Sequence, residues 1–255
     1  MVRAVFFDFD HTLYSHTQKD IPQSARDAVK ALQSKGIMCV LATGRHLVEL
    51  RHFPQAFELG LDGFVTIDGQ ICLDKDFNVI SSSRLEGKLL ESLVSLFDSK
   101  KAHVILIEKD RMYANTPKQS SDATITLIRH SVGEYTGKPL YMGVVYIEPE
   151  KEKWLSSLLP GGRLLRWGAP GVDVVPEGRG KPAGIKAFLN YYNIAETDYM
   201  VFGDGMNDVD MIKSAPLGIA MGNGADSAKE AADYVTTSVD DDGIRNALLH
   251  FGLMV

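Results

Sequence analysis

Cysteine is nearly missing from these 255 residues: there are two, Cys39 and Cys72. Both sit in apolar, strand-like runs, where a thiol behaves as a small hydrophobe. Neither has metal-ligand spacing, so a cysteine-built metal centre is excluded. Long apolar runs are missing as well. No stretch approaches the ~20 residues of a membrane span, and residues 4 to 7 are too few for a signal core and lead straight into acids. The expectation is a cytoplasmic protein with no membrane partner. Basic charge is also in deficit, with 27 Lys and Arg against 33 Asp and Glu and a net charge of −6. Nucleic acid is therefore disfavoured, because phosphate backbones require clustered cations. There is no internal repeat or low-complexity stretch, and His16, His52, His103, His130 and His250 have no metal-site spacing.

What remains is an ordinary globular composition, 45% hydrophobic and 24% charged, long enough for one large core or two smaller ones. The first part alternates strand and helix in the rhythm of a parallel sheet. Ala4 to Phe7 reads as a central strand, Ala25, Ala28, Val29 and Leu32 recur at helical spacing before Gly36, and Ile37 to Ala42 is the next strand. A helix is expected until about Pro54, then a strand over Phe64 to Ile67. From about Ser81 the rhythm changes. Asp74 to Asn78 looks like a hairpin tip, and strands at 104–107, 112–114, 141–147, 164–167 and 172–175 mix with helices at 85–97, 121–132 and near Trp154. That mixture suggests an α+β unit. The α/β rhythm resumes with a helix from about Pro182 and a strand from Tyr199. The fold class expected is α/β: a Rossmann-like parallel sheet core over 1–82 and 182–255, with an inserted α+β cap domain over 83–181.

Four clusters carry the chemistry. Asp8-Phe9-Asp10-His11-Thr12 follows the opening strand directly. In extended chain side chains alternate, so Asp8 and Asp10 project the same way from the strand's carboxyl end, where ligands bind in open α/β sheets. Asp alone often caps a helix or closes a turn; a pair at this spacing after so apolar a strand is harder to explain that way. Thr43-Gly44-Arg45 ends the second strand with a hydroxyl, a glycine and a cation. Gly203-Asp204-Gly205-Met206-Asn207-Asp208 follows the Tyr199 strand. Oxygen ligands of this kind favour Mg²⁺, which pairs with one or two carboxylates plus substrate phosphate. A local cation together with Mg²⁺ can reverse the field inside a cleft, so the acidic net charge leaves a small phosphorylated substrate open.

For a phosphate monoester, Asp8 is placed to attack phosphorus and form an aspartyl-phosphate. Asp10 can protonate the leaving alkoxide and later deprotonate water. Mg²⁺ is expected between the Asp8 carboxylate, the Asp10 main-chain carbonyl and the Asp204 carboxylate, with Asp208 as a further ligand or a support. Thr43, the Gly44 N–H, Asn207 and Lys181 are candidate donors to phosphoryl oxygens. Lys181 taken alone would read as a solvated surface lysine, since most lysines are exposed.

In order along the chain, these clusters and Lys181 resemble the four motifs of the haloacid dehalogenase superfamily of phosphatases. The placement of the insert, with Gly218-Ile219-Ala220-Met221-Gly222-Asn223-Gly224 after the fourth motif, is similar to the Cof-type branch with its large α+β cap. The resemblance implies Asp8 as nucleophile, Asp10 as general acid/base, Thr43 and Lys181 as phosphate ligands, and Asp8, Asp10 and Asp204 around Mg²⁺. It further implies that Asn207 contacts phosphate, and that Asp208 supports Lys181 or the metal. It also implies a small phosphorylated metabolite, commonly a sugar phosphate, beneath a closing cap. His11 departs from the pattern, standing where the family usually has Gly. Arg45, and in the cap Arg166, Trp167 and Asp173, are candidate specificity residues, since Trp beside Arg suits sugar recognition; packing of Trp167 in the cap core and solvation of Arg45 are the competing readings. A sugar phosphomutase and a non-catalytic phosphometabolite sensor are the alternatives in function.

Overall fold

The computed structural model describes residues 1–117 and 131–254. The chain divides into two compact units, one of Met1–Arg45, Phe53–Ser82 and Gly180–Val255, the other of His46–His52 and Ser83–Arg179.

The first unit begins with β1 (Ala4–Phe7), every residue of which is buried. Next comes α1 (Gln23–Ser34), whose buried residues Ala25, Ala28, Val29 and Leu32 fall at i, i+3, i+4 and i+7, one face of a helix. Gly36 ends that helical segment at φ 73°, a conformation that costs glycine little. After β2 (Met38–Ala42) the sequence reading of one helix to Pro54 is corrected. There are two four-residue helices, α2 (Leu47–Leu50), which groups with the second unit, and α3 (Gln55–Glu58). Proline at 54 has no N–H to continue a helix and restricts the residue before it, so the second helix starts afresh there. β3 (Gly63–Thr66) is followed by the hairpin β4 (Ile71–Asp74) and β5 (Val79–Ser82), turning at the expected 74–78 tip.

In the second unit, α4 (Gly87–Ser99) lays Leu89, Leu93, Leu96 and Phe97 on one face of a sheet. The strands are β6 (His103–Ile107), β7 (Met112–Ala114), β8 (Ser131–Val132), β9 (Met142–Tyr146), β10 (Gly162–Gly168) and β11 (Gly171–Pro176), and α5 (Glu152–Leu158) lies between β9 and β10. Their order is β10-β11-β9-β6-β7-β8, antiparallel except for the β7–β8 pair. Val104, Leu106, Val145, Val172 and Val174 meet the leucines of α4 and Leu155 of α5. The helix read at 121–132 lies outside the described residues save for Ser131–Val132, which are strand.

The chain returns to the first unit through α6 (Lys181–Tyr191), β12 (Tyr199–Gly203), α7 (Val209–Ser214), β13 (Gly218–Ala220), α8 (Asp226–Ala231), β14 (Tyr234–Val235) and α9 (Gly243–His250). The sheet order is β14-β13-β12-β1-β2-β3-β4-β5. It is parallel from β14 to β3 and antiparallel over the last two strands. β1 is central, with Phe7 opposite both Leu41 and Phe202. Phe6 meets Phe188 of α6 and Tyr199 edge-on at 5.7 and 5.8 Å, and burying each such ring is worth roughly 1.5–3 kcal/mol. The α6 helix comes unusually near the turn after β3. A Cβ on Gly184 would lie 2.6 Å from the Gly69 Cα, and one on Gly69 would lie 2.4 Å from the Gly180 carbonyl oxygen. Only hydrogen fits at both positions, and the contact seats the start of α6 against the sheet.

Candidate active site

The carboxyl ends of β1, β2 and β12 lie side by side, because β1 pairs with both neighbours in register. Asp8 follows β1, Thr43 follows β2 and Asp204 follows β12. Lys181 is the first residue of α6, seated by the glycine contact above, and its side chain is 0% exposed. Its Nζ lies 2.6 Å from Asp8 Oδ1 and 2.5 Å from Asp208 Oδ1. Burial alone would push this ammonium down, but the carboxylates of Asp208, Asp8 and Asp68 outweigh it and hold the lysine above its ordinary range. The solvated-surface reading of Lys181 is thereby corrected.

Asp208 is the brace of the acidic turn. While Oδ1 takes the lysine, Oδ2 accepts the backbone N–H groups of Asp204 at 2.9 Å and Gly205 at 2.8 Å. Asp204 Oδ1 accepts the Thr12 hydroxyl at 3.0 Å. Burial, then the charge of Asp208, push Asp204 up to about 8 against the Thr12 hydrogen bond and Lys181. Burial and Asp208 likewise raise Asp8. One carboxylate oxygen from each of Asp8, Asp204 and Asp208 lies within 4.8 Å of the others. Two buried acids, Asp8 and Asp208, and the partly buried Asp204 against the Lys181 ammonium form an all-oxygen donor set with excess negative charge. That is the chemistry of a hard divalent cation site. Since both Asp208 oxygens are already taken, Asp8 and Asp204 are the better placed ligands.

Asp10 has a separate set of partners. Arg45 grips it with both prongs, Nε to Oδ2 at 2.6 Å and Nη2 to Oδ1 at 2.7 Å, and His16 Nε2 lies 2.7 Å from Oδ1. Burial would raise this carboxyl, but the Arg45 charge and the hydrogen bonds from His16 and Arg45 hold it well below the carboxylate range. The Arg45 guanidinium also stacks over Phe53 at 4.6 Å, so it is not a solvated helix-start residue. The loop after Asp10 folds back on itself, with Tyr14 N–H donating to the Phe9 carbonyl at 2.7 Å and His11 N–H to the Tyr14 carbonyl at 2.8 Å. His11 takes φ 59°, the left-handed conformation for which glycine is the usual choice. Asn223 Nδ2 donates to its carbonyl at 2.9 Å, so the turn persists despite the larger side chain.

Thr43 is buried, and its hydroxyl accepts the Arg45 N–H at 3.1 Å. Gly44 and Asn207 are partly exposed, Gly44 in the turn after β2 and Asn207 on the helical turn Met206–Asp208. The second-unit candidates have their own partners. Arg166 binds Glu152 and the carbonyls of Gly168, Ala169 and Ile147, a grip that ties β10 to α5. Trp167 Nε1 donates to Asp173 Oδ1 at 3.1 Å.

The profile of the haloacid dehalogenase-like hydrolases matches residues 5–248. The chain belongs to that family. Among its relatives in the family is YkrA of Bacillus subtilis (strain 168), 33% identical over 99% of this chain and 98% of its own. The 5-amino-6-(5-phospho-D-ribitylamino)uracil phosphatase YcsE of the same organism is 24% identical over 99% of this chain and 96% of its own. Of the solved structures, the haloacid dehalogenase subclass IIB sugar phosphatase BT4131 superposes with a TM-score of 0.90 at 29% identity, covering 99% of this chain and 100% of that one. The family resemblance and the α/β fold read from the sequence are thus borne out, and the chain is a hydrolase of this family.

Three residues at this haloacid dehalogenase site were missed in the sequence. Thr12 orients Asp204, His16 holds Asp10, and Asp68, fully buried, adds its charge beside Lys181. Asp68 had a legible signal: Ile67-Asp68-Gly69 is a strand-end Asp-Gly like Asp204-Gly205. For His16 and Thr12 no spacing rule gives one, because their role depends on how the loop closes.

Proposed function

We propose that this protein is a Mg²⁺-dependent phosphatase of small phosphate monoesters, with sugar phosphates as its substrate class. The observation that carries the reading is the buried Lys181 held between Asp8 and Asp208 at the mouth of a parallel sheet, with Asp204 alongside. The named activities of the two phosphatase relatives support the substrate class, one being a sugar phosphatase and the other acting on a phospho-D-ribityl compound.

In the first step an Asp8 oxygen bonds to phosphorus as the ester P–O bond breaks, and the leaving oxygen takes a proton from Asp10. In the second step water attacks the aspartyl-phosphate, Asp10 takes the water proton, and the Asp8–phosphorus bond breaks. Lys181 stays against Asp8 and neutralises charge on the phosphoryl oxygens, while Thr43, the Gly44 N–H and the Asn207 amide donate to them. Asp8, Asp204 and the Asp10 carbonyl would hold Mg²⁺, whose charge offsets the negative charge that gathers around the phosphoryl group.

The test is phosphate release across a panel of phosphorylated sugars, nucleotides and cofactors, with and without Mg²⁺. Release from sugar phosphates that requires Mg²⁺ and vanishes in Asp8→Asn is expected. Isomer formation without phosphate release would replace the phosphatase with a mutase, and an unchanged Asp8→Asn rate would end the nucleophile assignment.

A further inference from the structure

Asp10 has two oxygens and three donors. The Arg45 fork covers both oxygens, whereas His16 touches Oδ1 alone. A guanidinium never gives up its protons at working pH, so an oxygen held by Arg45 Nε at 2.6 Å cannot carry a proton to a leaving group. If Asp10 serves as acid, the Arg45 fork has to release Oδ2 during turnover. His16 need not move. With its proton on Nε2, the imidazole donates to Oδ1 whether the carboxyl is charged or neutral.

The surroundings of His16 are built to keep it there. Its ring packs against His11, with centroids 4.5 Å apart, and against Tyr14, edge-on at 5.1 Å. The preceding residue, Ser15, is fully buried and anchored: its N–H donates to the Asp20 carbonyl at 2.9 Å and its hydroxyl to Asp240 Oδ1 at 2.5 Å. Gln18 adds a second contact, its N–H donating to the Ser15 hydroxyl at 3.0 Å. The imidazole is thus packed against two rings and held from its own backbone, and its polar contact among the described residues is the carboxyl on which the proton transfers depend.

We infer that His16 is a positioning residue for Asp10, fixing Oδ1 so that Oδ2 is the oxygen presented to the leaving group and then to water. The inference rests on the phosphatase reading above. It concerns orientation: misplacing a proton donor by even an ångström costs rate without weakening substrate binding.

The discriminating measurement compares kcat/KM for two leaving groups, because kcat/KM reports the steps up to release of the first alcohol. A 4-nitrophenolate departs unaided, whereas a sugar or glycerol alkoxide requires the Asp10 proton. His16→Phe keeps a ring against His11 and Tyr14 but offers no nitrogen. It is expected to lower kcat/KM for the alkyl phosphate about tenfold, a fraction of what general acid catalysis supplies, and to leave the aryl phosphate within about threefold. KM should hold, and His16→Gln, whose amide can reach Oδ1, should restore most of the alkyl activity. Within an Asp10→Asn background, His16→Phe should add no further leaving-group dependence. An equal fall for both esters, no fall for either, or failure of His16→Gln to rescue would overturn the inference. Should His16→Phe not fold, as read by circular dichroism, the same ratio is taken with His16→Ala. A wild-type protein that hydrolyses neither ester would instead overturn the phosphatase reading itself, so the two failures are distinguishable.

Discussion

Lys181→Met removes the one ammonium buried among Asp8, Asp208 and Asp68 and replaces it with a side chain of similar length. Among the described residues, Lys181 is the cation paired with both the Asp8 and the Asp208 carboxylates. Breaking a buried ion pair from one side costs about 3–5 kcal/mol, because the remaining charge is left uncompensated. For a protein of this size that corresponds to a melting temperature lower by roughly 6–20 °C. The cost depends on pH, and its sign follows from the acids. Asp8 and Asp204 already titrate above their ordinary range, so the folded state binds more protons than the unfolded one, and stability falls as pH rises through the window up to about 8. Without Lys181 the pull that opposes this rise is gone. The penalty should therefore be largest near pH 8.5 and shrink towards pH 5, where the carboxyls take protons. Thermal unfolding of both proteins in chelator at the two pH values measures it. A penalty that is the same at both, or that grows at low pH, would refute the electrostatic account of Lys181.

Mg²⁺ and protons should compete at Asp204. With that carboxyl at about 8, the Mg²⁺ Kd is expected to weaken about tenfold per pH unit below that value, with about one proton released per ion; calorimetry in two buffers of different ionisation enthalpy reads both. Gly184→Ala drives a Cβ to 2.6 Å from the Gly69 backbone and from a Val65 methyl, an overpacking that should cost about 1–3 kcal/mol in denaturant unfolding. It should also lower kcat, because α6 carries Lys181. Arg45→Ala frees Asp10 from the charge that holds it down, so the basic limb of the alkyl-phosphate kcat/KM profile should move to higher pH; an unmoved limb would mean that Arg45 does not set the Asp10 proton affinity.

The parallel core could be read from the sequence because its strands are short, apolar and bounded by acids or glycine, and because acids at strand ends make poor core. Asp8, Asp204 and Asp208 were found by that contrast, and they do converge in space with Lys181. Lys181 itself could not be placed by its type, since lysine is ordinarily exposed; the glycines at 69 and 184 that bring α6 against the sheet are what bury it. The helix expected up to Pro54 failed because the apolar spacing across 47–58 is that of two short turns interrupted by a proline. Arg166 shows the limit for recognition residues. Beside Trp167 it has the composition of a sugar site, yet four acceptors within its own unit occupy it.

The two carboxylates of the first motif are driven apart, but in the direction opposite to the roles proposed for them. Among the protein's own groups, burial and Asp208 push Asp8 towards its neutral form, while Arg45 keeps Asp10 ionised. A nucleophile must be ionised and a general acid must carry a proton, so the protein's own charges oppose the first step. Two changes invert the order. Positive charge beside Asp8 and Asp204 lowers both carboxyls, and withdrawal of the Arg45 fork lets Asp10 rise. A phosphorylated substrate whose hydroxyls or phosphoryl oxygens gave Arg45 another partner would supply the second change and would couple proton uptake at Asp10 to occupancy of the site. The enzyme would then protonate its acid only when there is a leaving group to receive the proton. His16 keeps that acid in register through the exchange, since its contact is to Oδ1 and not to the Oδ2 that has to be released.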